Sequence, residues 1–465
     1  MRQTGRYRLR SRLKLPCLSL LSAACALAAV LACRPAPGRQ PDVLLYLVDT
    51  LRADHLGCYG YPRGTSPQID AVAAESVLFE QAVAQSSWTR PAVTSILTGL
   101  DSRGHGVQGR LDAMPTSLDT LPEILRREGY QTAAFVSSAV ITAQFGFDQG
   151  FDTFRQRVKE TIEPERPTSE WVNEEALRWL ERRDPDRPFF LFLHTLDPHM
   201  PYRPPESFRR RLAAGADPRA GLLENVVALR DGVRPASARD RDELSALYDA
   251  EVAANDAAFG RLVAELRARG LYDPLLLVFV SDHGEEFLDH GGWEHGATLY
   301  QELVHVPLLL KLPGGAGAGR RIGETVRQVD VFPAVLDVLG GKASPAIQGR
   351  SLLSLLQAPS RRRQTAPAAF SSLDLDGRRI ESVILQGRKL IHTLAHDRRP
   401  SGLELYDLAS DPGERRNLAA ADPATVRGLS WLLEQGKRAG APAKAPPVAL
   451  EPALEEQLRA LGYLR

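Results

Sequence analysis

The sequence predicts an α/β fold: a mostly parallel sheet sandwiched by helices, with a smaller antiparallel subdomain toward the C-terminal end. Three observations carry this. Runs that are apolar on both faces, such as LLLVFV at 275–280, suit central strands covered on two sides. Helical stretches separate them, 243–269 foremost, giving βα alternation. Beyond about residue 358 closely spaced pieces (ESVILQG, RKLIHTL, LELYDL) read as hairpin strands with a closing helix.

The N-terminal segment sets the compartment. Arg2, Arg6, Arg8, Arg10, Arg12 and Lys14 precede the apolar stretch LPCLSLLSAACALAAVLAC, the architecture of a signal peptide over 1–32. Val30-Leu31-Ala32-Cys33 has the form of a bacterial lipobox. Cleavage before Cys33 and its lipidation would make this a membrane-anchored lipoprotein of the cell envelope, on the periplasmic or extracytoplasmic side. An uncleaved transmembrane anchor is the alternative. Residues 33–41 then form a short stiff linker, 42–357 the main α/β domain and 358–465 an α+β subdomain. Removing 1–32 takes six positive charges from a formal net charge of +1 and leaves −5, so nothing basic remains to suggest nucleic acid. Cys17 and Cys25 leave with that segment and Cys33 is lipidated. Cys58 alone stays in the folded chain, which excludes a disulfide framework and a thiolate zinc site.

Strands are predicted at 43–48, 132–136, 188–194, 275–281 and 306–311. The first runs directly into Asp49 and the fourth into Asp282 and His283, and the carboxyl ends of such strands are where these folds bind ligands. A carboxylate at each of two strand ends is best explained by one shared cation, with His283 adding an imidazole. The alternatives are an Asp49 that caps the next turn and an Asp282 that merely orients His283. Thr89 precedes Pro91 at the start of a short helix, where backbone N–H groups stabilise an alkoxide or a facing oxyanion. Ser86 and Ser87 are competing hydroxyls, and all three have a capping role as the plain alternative.

Five ordered motifs then resemble the sulfatase family of the alkaline phosphatase superfamily across nearly the whole mature chain. They are VDTLRADHLGCYGY (48–61), SSWTRPAVTSILTG (86–99), FFLFLHTLDPHMPY (189–202), SDHGEEFLDHGGWEHG (281–296) and ELYDLASDPGERRNLA (404–419). The resemblance implies an alkaline-phosphatase-like fold and a metal-dependent ester hydrolase. It departs from the family at the nucleophile. Sulfatases make formylglycine from Cys or Ser in C/S-x-P-x-R, whereas this chain has Thr89-Arg90-Pro91-Ala92-Val93. The family's sulfate-binding lysine and histidine are also missing from TAAFVSSAV (132–140). Threonine nucleophiles in the superfamily act on phosphodiesters, which draws the expected substrate toward phosphate or phosphonate esters, with sulfate esters retained.

On this resemblance Asp49, Thr89, Asp282 and His283 surround one divalent ion, with His283 favouring Mn or Zn while Ca stays possible. His199 would protonate the leaving group, and His295 would meet the oxygens of the transferred group. Asp197, His199 and His295 form the substrate side; their assembly into a second metal site is the lesser alternative. His55 and His105 are read as structural, His194 and His305 as satisfied core or rim residues, His290 as a cleft candidate, and His392 and His396 as surface. Glu285 and Glu286 are read as solvated or supporting the ligands. The segment 205–240 is expected to be an insertion loop near the cleft. A phospho-headgroup transferase using the membrane tether and a non-catalytic binding protein complete the set of functions.

Overall fold

A computed structural model describes residues 40–157, 166–344, 346–357, 367–397, 399–438, 443–460 and 463. The expected signal peptide, Cys33 and most of the expected linker lie outside these. Among the described residues no helix is long and apolar enough to cross a membrane.

Strand β1 (Val43–Val48) lies at the centre of a nine-stranded sheet and pairs in parallel with β5 (Phe189–Thr195) and β6 (Leu276–Ser281). Every residue of β1 is buried, because both faces are covered. Val43, Leu45 and Leu47 enter one hydrophobic cluster, and Leu44, Tyr46 and Val48 enter the other. That alternation is why the strand reads as a continuous apolar run. β3 (Gln131–Val136) continues the sheet beside β5, with β4 (Thr153–Gln156) at that edge. On the other side β10 (Leu308–Lys311) runs antiparallel between β6 and β2 (Val77–Val83), and β11 (Arg321–Arg327) pairs in parallel with β2.

Three expectations change. The run 306–311 is broken at Pro307 into β9 (His305–Val306) and β10, both antiparallel to their neighbours. The stretch 205–240 is not a plain loop: it holds the helices Glu206–Leu212 and Leu223–Arg230, and the start of the helix Ala238–Ala268. A capping box at Ser237 and Asp240 starts that long helix earlier than the apolar periodicity suggested.

The second sheet is antiparallel, in the order β12 (Ala369–Leu375), β13 (Arg378–Leu385), β14 (Arg388–Ala395), β15 (Gly402–Asp407). Helix Pro423–Arg438 covers it, with Leu429 and Leu433 packed on Val383, Leu390 and Leu405. β7 (Glu286–Phe287) and β8 (Trp293–Glu294) form a small ribbon beside the carboxyl end of β6.

Candidate active site

Parallel register sets the site. Val48 of β1 lies opposite Ser281 of β6, so Asp49 and Asp282 leave adjacent strand ends side by side. Thr50 follows with φ at 56°, a left-handed conformation costly for a β-branched residue, of order 1 kcal/mol or more. That turn aims its N–H at Asp282 Oδ1, 3.1 Å away. His283 N donates to the same oxygen at 2.9 Å. Gly284 is required by close approach: a Cβ there would lie 1.9 Å from the Glu302 carbonyl oxygen.

Ligand atoms of Asp49, Asp282 and His283 all fall within 4.8 Å of one another, and all three residues are buried. Asp49 Oδ1 and Asp282 Oδ2 have no hydrogen-bond partner. Two orphaned carboxylate oxygens facing one imidazole fit a divalent cation, since nothing else compensates their desolvation. Burial first, then the neighbouring Asp282 and Glu285, raise the Asp49 pKa well above the carboxylate range. His283 Nδ1 meets the Gly284 carbonyl at 2.9 Å, so Nδ1 carries the hydrogen and Nε2 is the acceptor. Burial lowers the His283 pKa and favours that neutral form.

Thr89 begins the helix Thr89–Thr98, whose first turn has no side-chain cap from Trp88. Its hydroxyl lies 3.1 Å from His283 Nε2. Neither Ser86 nor Ser87 shares that contact; the Ser87 carbonyl is taken by Gly296 N at 2.8 Å. Thr89 is fully buried. A row of rings leads outward from it: His283 to His295 at 4.5 Å between centroids, then His295 to His199 at 5.0 Å. Beyond lies a cavity of about 310 Å³, lined among others by Trp88, His199, His295 and Arg110.

Several side chains sit differently from the sequence reading. His194 is not satisfied: it is buried with neither ring nitrogen hydrogen-bonded, and Nε2 lies 3.5 Å from Asp49 Oδ2. His396 is not a surface residue but lines the cavity, with Nε2 2.9 Å from the Ala297 carbonyl. His290 does line it, bonded to Glu302. Glu285 is buried and pairs with His295 Nδ1 at 2.9 Å, while its other oxygen accepts from Tyr202 at 3.1 Å. Burial pushes Glu285 up to about 8 and His295 down to about 4, so the pair shares one proton near neutrality. Asp197 is turned to Ser169, accepting from its N–H (3.0 Å) and Oγ (3.1 Å), and forms no metal-type cluster with His199 and His295 among the described residues. Arg230, from the segment read as a loop, reaches Glu294 at 3.1 Å in the cavity wall.

The sulfatase family model matches residues 41–341, about two-thirds of the chain. The chain belongs to the sulfatase family. It is accordingly a hydrolase, and the model for the C-terminal part of N-sulphoglucosamine sulphohydrolase also matches, over 289–427. Among curated relatives, the N-acetylglucosamine-6-O-sulfatase of Bacteroides thetaiotaomicron is 24% identical, covering 86% of this chain and 87% of that protein. Human iduronate 2-sulfatase is 25% identical over 68% of this chain and 66% of its own length. A solved sulfatase-fold structure in complex with D-glucosamine-2-N,6-O-disulfate superposes with a TM-score of 0.72 at 22% identity, covering 86% of this chain and 98% of that one. The phosphonate monoester hydrolase of Agrobacterium radiobacter superposes at 0.70 with 24% identity, covering 86% and 96%. At these identities the structural likeness establishes the fold.

Proposed function

We propose that this sulfatase-family hydrolase uses Thr89 directly as its nucleophile and cleaves esters of phosphate or phosphonate, with sulfate esters as secondary substrates. The observation that carries this is the Thr89 hydroxyl at a helix start, 3.1 Å from His283 Nε2 and beside two orphaned carboxylate oxygens. A formylglycine hydrate releases its sulfate by expelling it from a carbon that keeps a second hydroxyl. Threonine has no second hydroxyl there, so its adduct must be opened by water at sulfur or phosphorus.

Asp49, Asp282 and His283 would hold a divalent ion together with Thr89 Oγ1. Such an ion supplies Lewis acidity that lowers the threonine hydroxyl's pKa and polarises an ester oxygen. The helix N-terminus favours negative charge on the threonine oxygen. With the proton of their pair on Glu285, the carboxyl donates to His295 Nδ1, and Nε2 becomes an N–H donor for an oxygen of the transferred group. His199 gives its proton to the leaving group. Because Thr89 is buried beneath the row of histidines, the rings must part for a tetrahedral group to enter. The cavity walls carry Arg110, Arg230, Arg378 and Arg399, which favours a polar or anionic leaving group over a lipid chain and so hydrolysis over headgroup transfer. The N-terminal segment supports an envelope location, with lipidated Cys33 as the tether.

The test is turnover of 4-nitrophenyl esters of phosphate, phenylphosphonate and sulfate with Mn, Zn or Ca, comparing Thr89→Ala and Thr89→Ser. Thr89→Ala is expected to lose about 10³-fold or more in kcat and Thr89→Ser to keep a measurable fraction. Undiminished turnover in Thr89→Ala would rule the threonine out as nucleophile.

A further inference from the structure

Residues 443–460 and Tyr463 lie against the main unit. Ala443 N donates to the Gly104 carbonyl (3.0 Å), Ala113 N to Pro446 (2.9 Å) and Val448 N to Leu111 (2.9 Å). Leu458, on the helix Pro452–Ala460, is buried in the core beneath. Tyr463 N then donates to the Leu458 carbonyl at 2.8 Å. The Tyr463 ring packs against that core and lines the cavity, and its hydroxyl lies 2.9 Å from His199 Nε2.

The partners of His199 fix its tautomer. Nδ1 lies 2.6 Å from the Met200 carbonyl, which can only accept, so Nδ1 carries the hydrogen. Nε2 is then the acceptor and the Tyr463 hydroxyl the donor. The imidazole is gripped at both nitrogens, with Nε2 held at the wall of the cavity where an ester's leaving group would lie.

We propose that Tyr463 is a positioning residue for His199, aiming Nε2 at the leaving-group oxygen; this rests on the reading of His199 as the leaving group's proton donor. A phenol hydroxyl donates to a neutral Nε2; on a protonated ring the single Nε2–H is shared between the phenol oxygen and the leaving-group oxygen beside it, so Tyr463 holds the ring in both states. Before attack Thr89 gives its proton to solvent and Nε2 takes one from it; in the first step the Thr89 oxygen bonds phosphorus or sulfur, the Nε2–H bond breaks and an O–H bond forms on the leaving oxygen, which keeps the electron pair of its broken bond to phosphorus or sulfur. In the second step water attacks the Thr89 adduct, its proton returns to Nε2, and Thr89 leaves as the alkoxide that attacked. Tyr463 is unchanged at the end.

The experiment compares a 4-nitrophenyl ester, whose leaving group needs no proton, with a methyl ester of the same acid. Tyr463→Phe keeps the ring's packing and removes the hydroxyl. It is expected to lower kcat and kcat/KM on the methyl ester about tenfold, with KM and the nitrophenyl kcat/KM, which reports only the steps up to leaving-group departure, within about twofold. His199→Ala should show the same split, and the double variant should be no slower than His199→Ala alone. Equal losses on both esters, an effect on KM alone, or multiplying losses in the double variant overturn the proposal. Should Tyr463→Phe fold poorly, Tyr463→Leu, checked by its melting midpoint, must show the same split. An active wild type with an unaffected Tyr463→Phe overturns this proposal alone, whereas a wild type inactive on both esters overturns the underlying reading and this one with it.

Discussion

Asp49→Asn separates a metal site from a fortuitous acidic pair. The ligand atoms of Asp49, Asp282 and His283 lie within 4.8 Å of one another and away from solvent. At an effective dielectric of roughly 20, two carboxylates at that separation repel by about 3 kcal/mol. The same repulsion helps to raise the Asp49 pKa. Asparagine keeps the shape and removes the charge, so the chelator-treated variant is expected to melt no lower than chelator-treated wild type. A divalent ion at 100 times its Kd stabilises the folded wild type by about 2.7 kcal/mol. Against an unfolding entropy of roughly 1 kcal/mol/K for a chain of this size, that is a rise in Tm of about 3 °C. Asp49→Asn lacks one anionic ligand, and its rise should fall below about 1 °C. Scanning calorimetry after EDTA treatment, with Mn, Zn and Ca titrated separately, reads both quantities. The reasoning is refuted if the ions raise both midpoints equally, or if the ion-free variant melts several degrees below wild type.

Two further predictions concern buried titratable groups. Glu285→Gln should retain most activity, because the amide also donates to His295 Nδ1, whereas Glu285→Ala should lose about 10–100-fold in kcat; equal losses in the two would show that the hydrogen bond to His295 is not what matters. His105 is fully buried, with Nδ1 accepting from Val107 N at 3.0 Å, and burial lowers its pKa to about 4. The unfolded chain therefore binds that proton more readily, so the stability it contributes is complete above about pH 6.5 and lost as pH falls toward 4, at up to about 1.4 kcal/mol per pH unit. Urea unfolding across that window should show a slope shallower by this amount in His105→Gln, and an unchanged slope would remove His105 from the account.

The parts of the fold that could be read in advance were those whose signal is local. β1 and β6 are apolar runs because both faces are covered, and each is followed at once by a carboxylate of the candidate metal site. β2 escaped notice because Glu80 and Gln81 interrupt VLFEQAV, and β11 because RIGETVR is half polar beside it near the sheet's edge. The helices of 205–230 were hidden by the neighbouring Pro204, Pro205 and Pro218, although Arg, Leu and Glu are good helix formers. The proximity of Asp49, Asp282 and His283, with Thr89 beside His283, follows from strand ends and a helix start. The approach of His194 to Asp49, the cavity wall at Arg230 and His396, and the contact of Tyr463 with His199 depend on packing between segments far apart in sequence. A tyrosine in LGYLR carries no mark of the imidazole it will meet.

The charge balance around Thr89 then constrains the substrate. Val93, where sulfatases carry an arginine, is buried in the core. Arg90 does not substitute for that arginine: its guanidinium stacks on Phe145 and donates to backbone carbonyls, including that of Arg110 at 2.6 Å. The imidazoles nearest the nucleophile are held neutral, with His283 lowered by burial and His295 and His194 pushed to about 4. A divalent ion would be balanced by Asp49 and Asp282, leaving among the described residues no fixed positive charge beside the transferred group, the His199 proton serving the leaving oxygen. A second negative charge on that group, facing the Thr89 alkoxide across roughly 5 Å, costs about 3 kcal/mol at an effective dielectric of roughly 20, or about 100-fold. Phosphodiesters, phosphonate monoesters and sulfate monoesters carry one such charge, and phosphate monoesters near neutral pH carry two. With 4-nitrophenol as the common leaving group, kcat/KM is therefore expected to be about 100-fold higher for the monoanionic esters of phosphorus than for 4-nitrophenyl phosphate, with the gap closing as pH falls through the second phosphate pKa near 6. A phosphate monoester turned over best at pH 8 would mean that a cation absent from this balance reaches the transferred group.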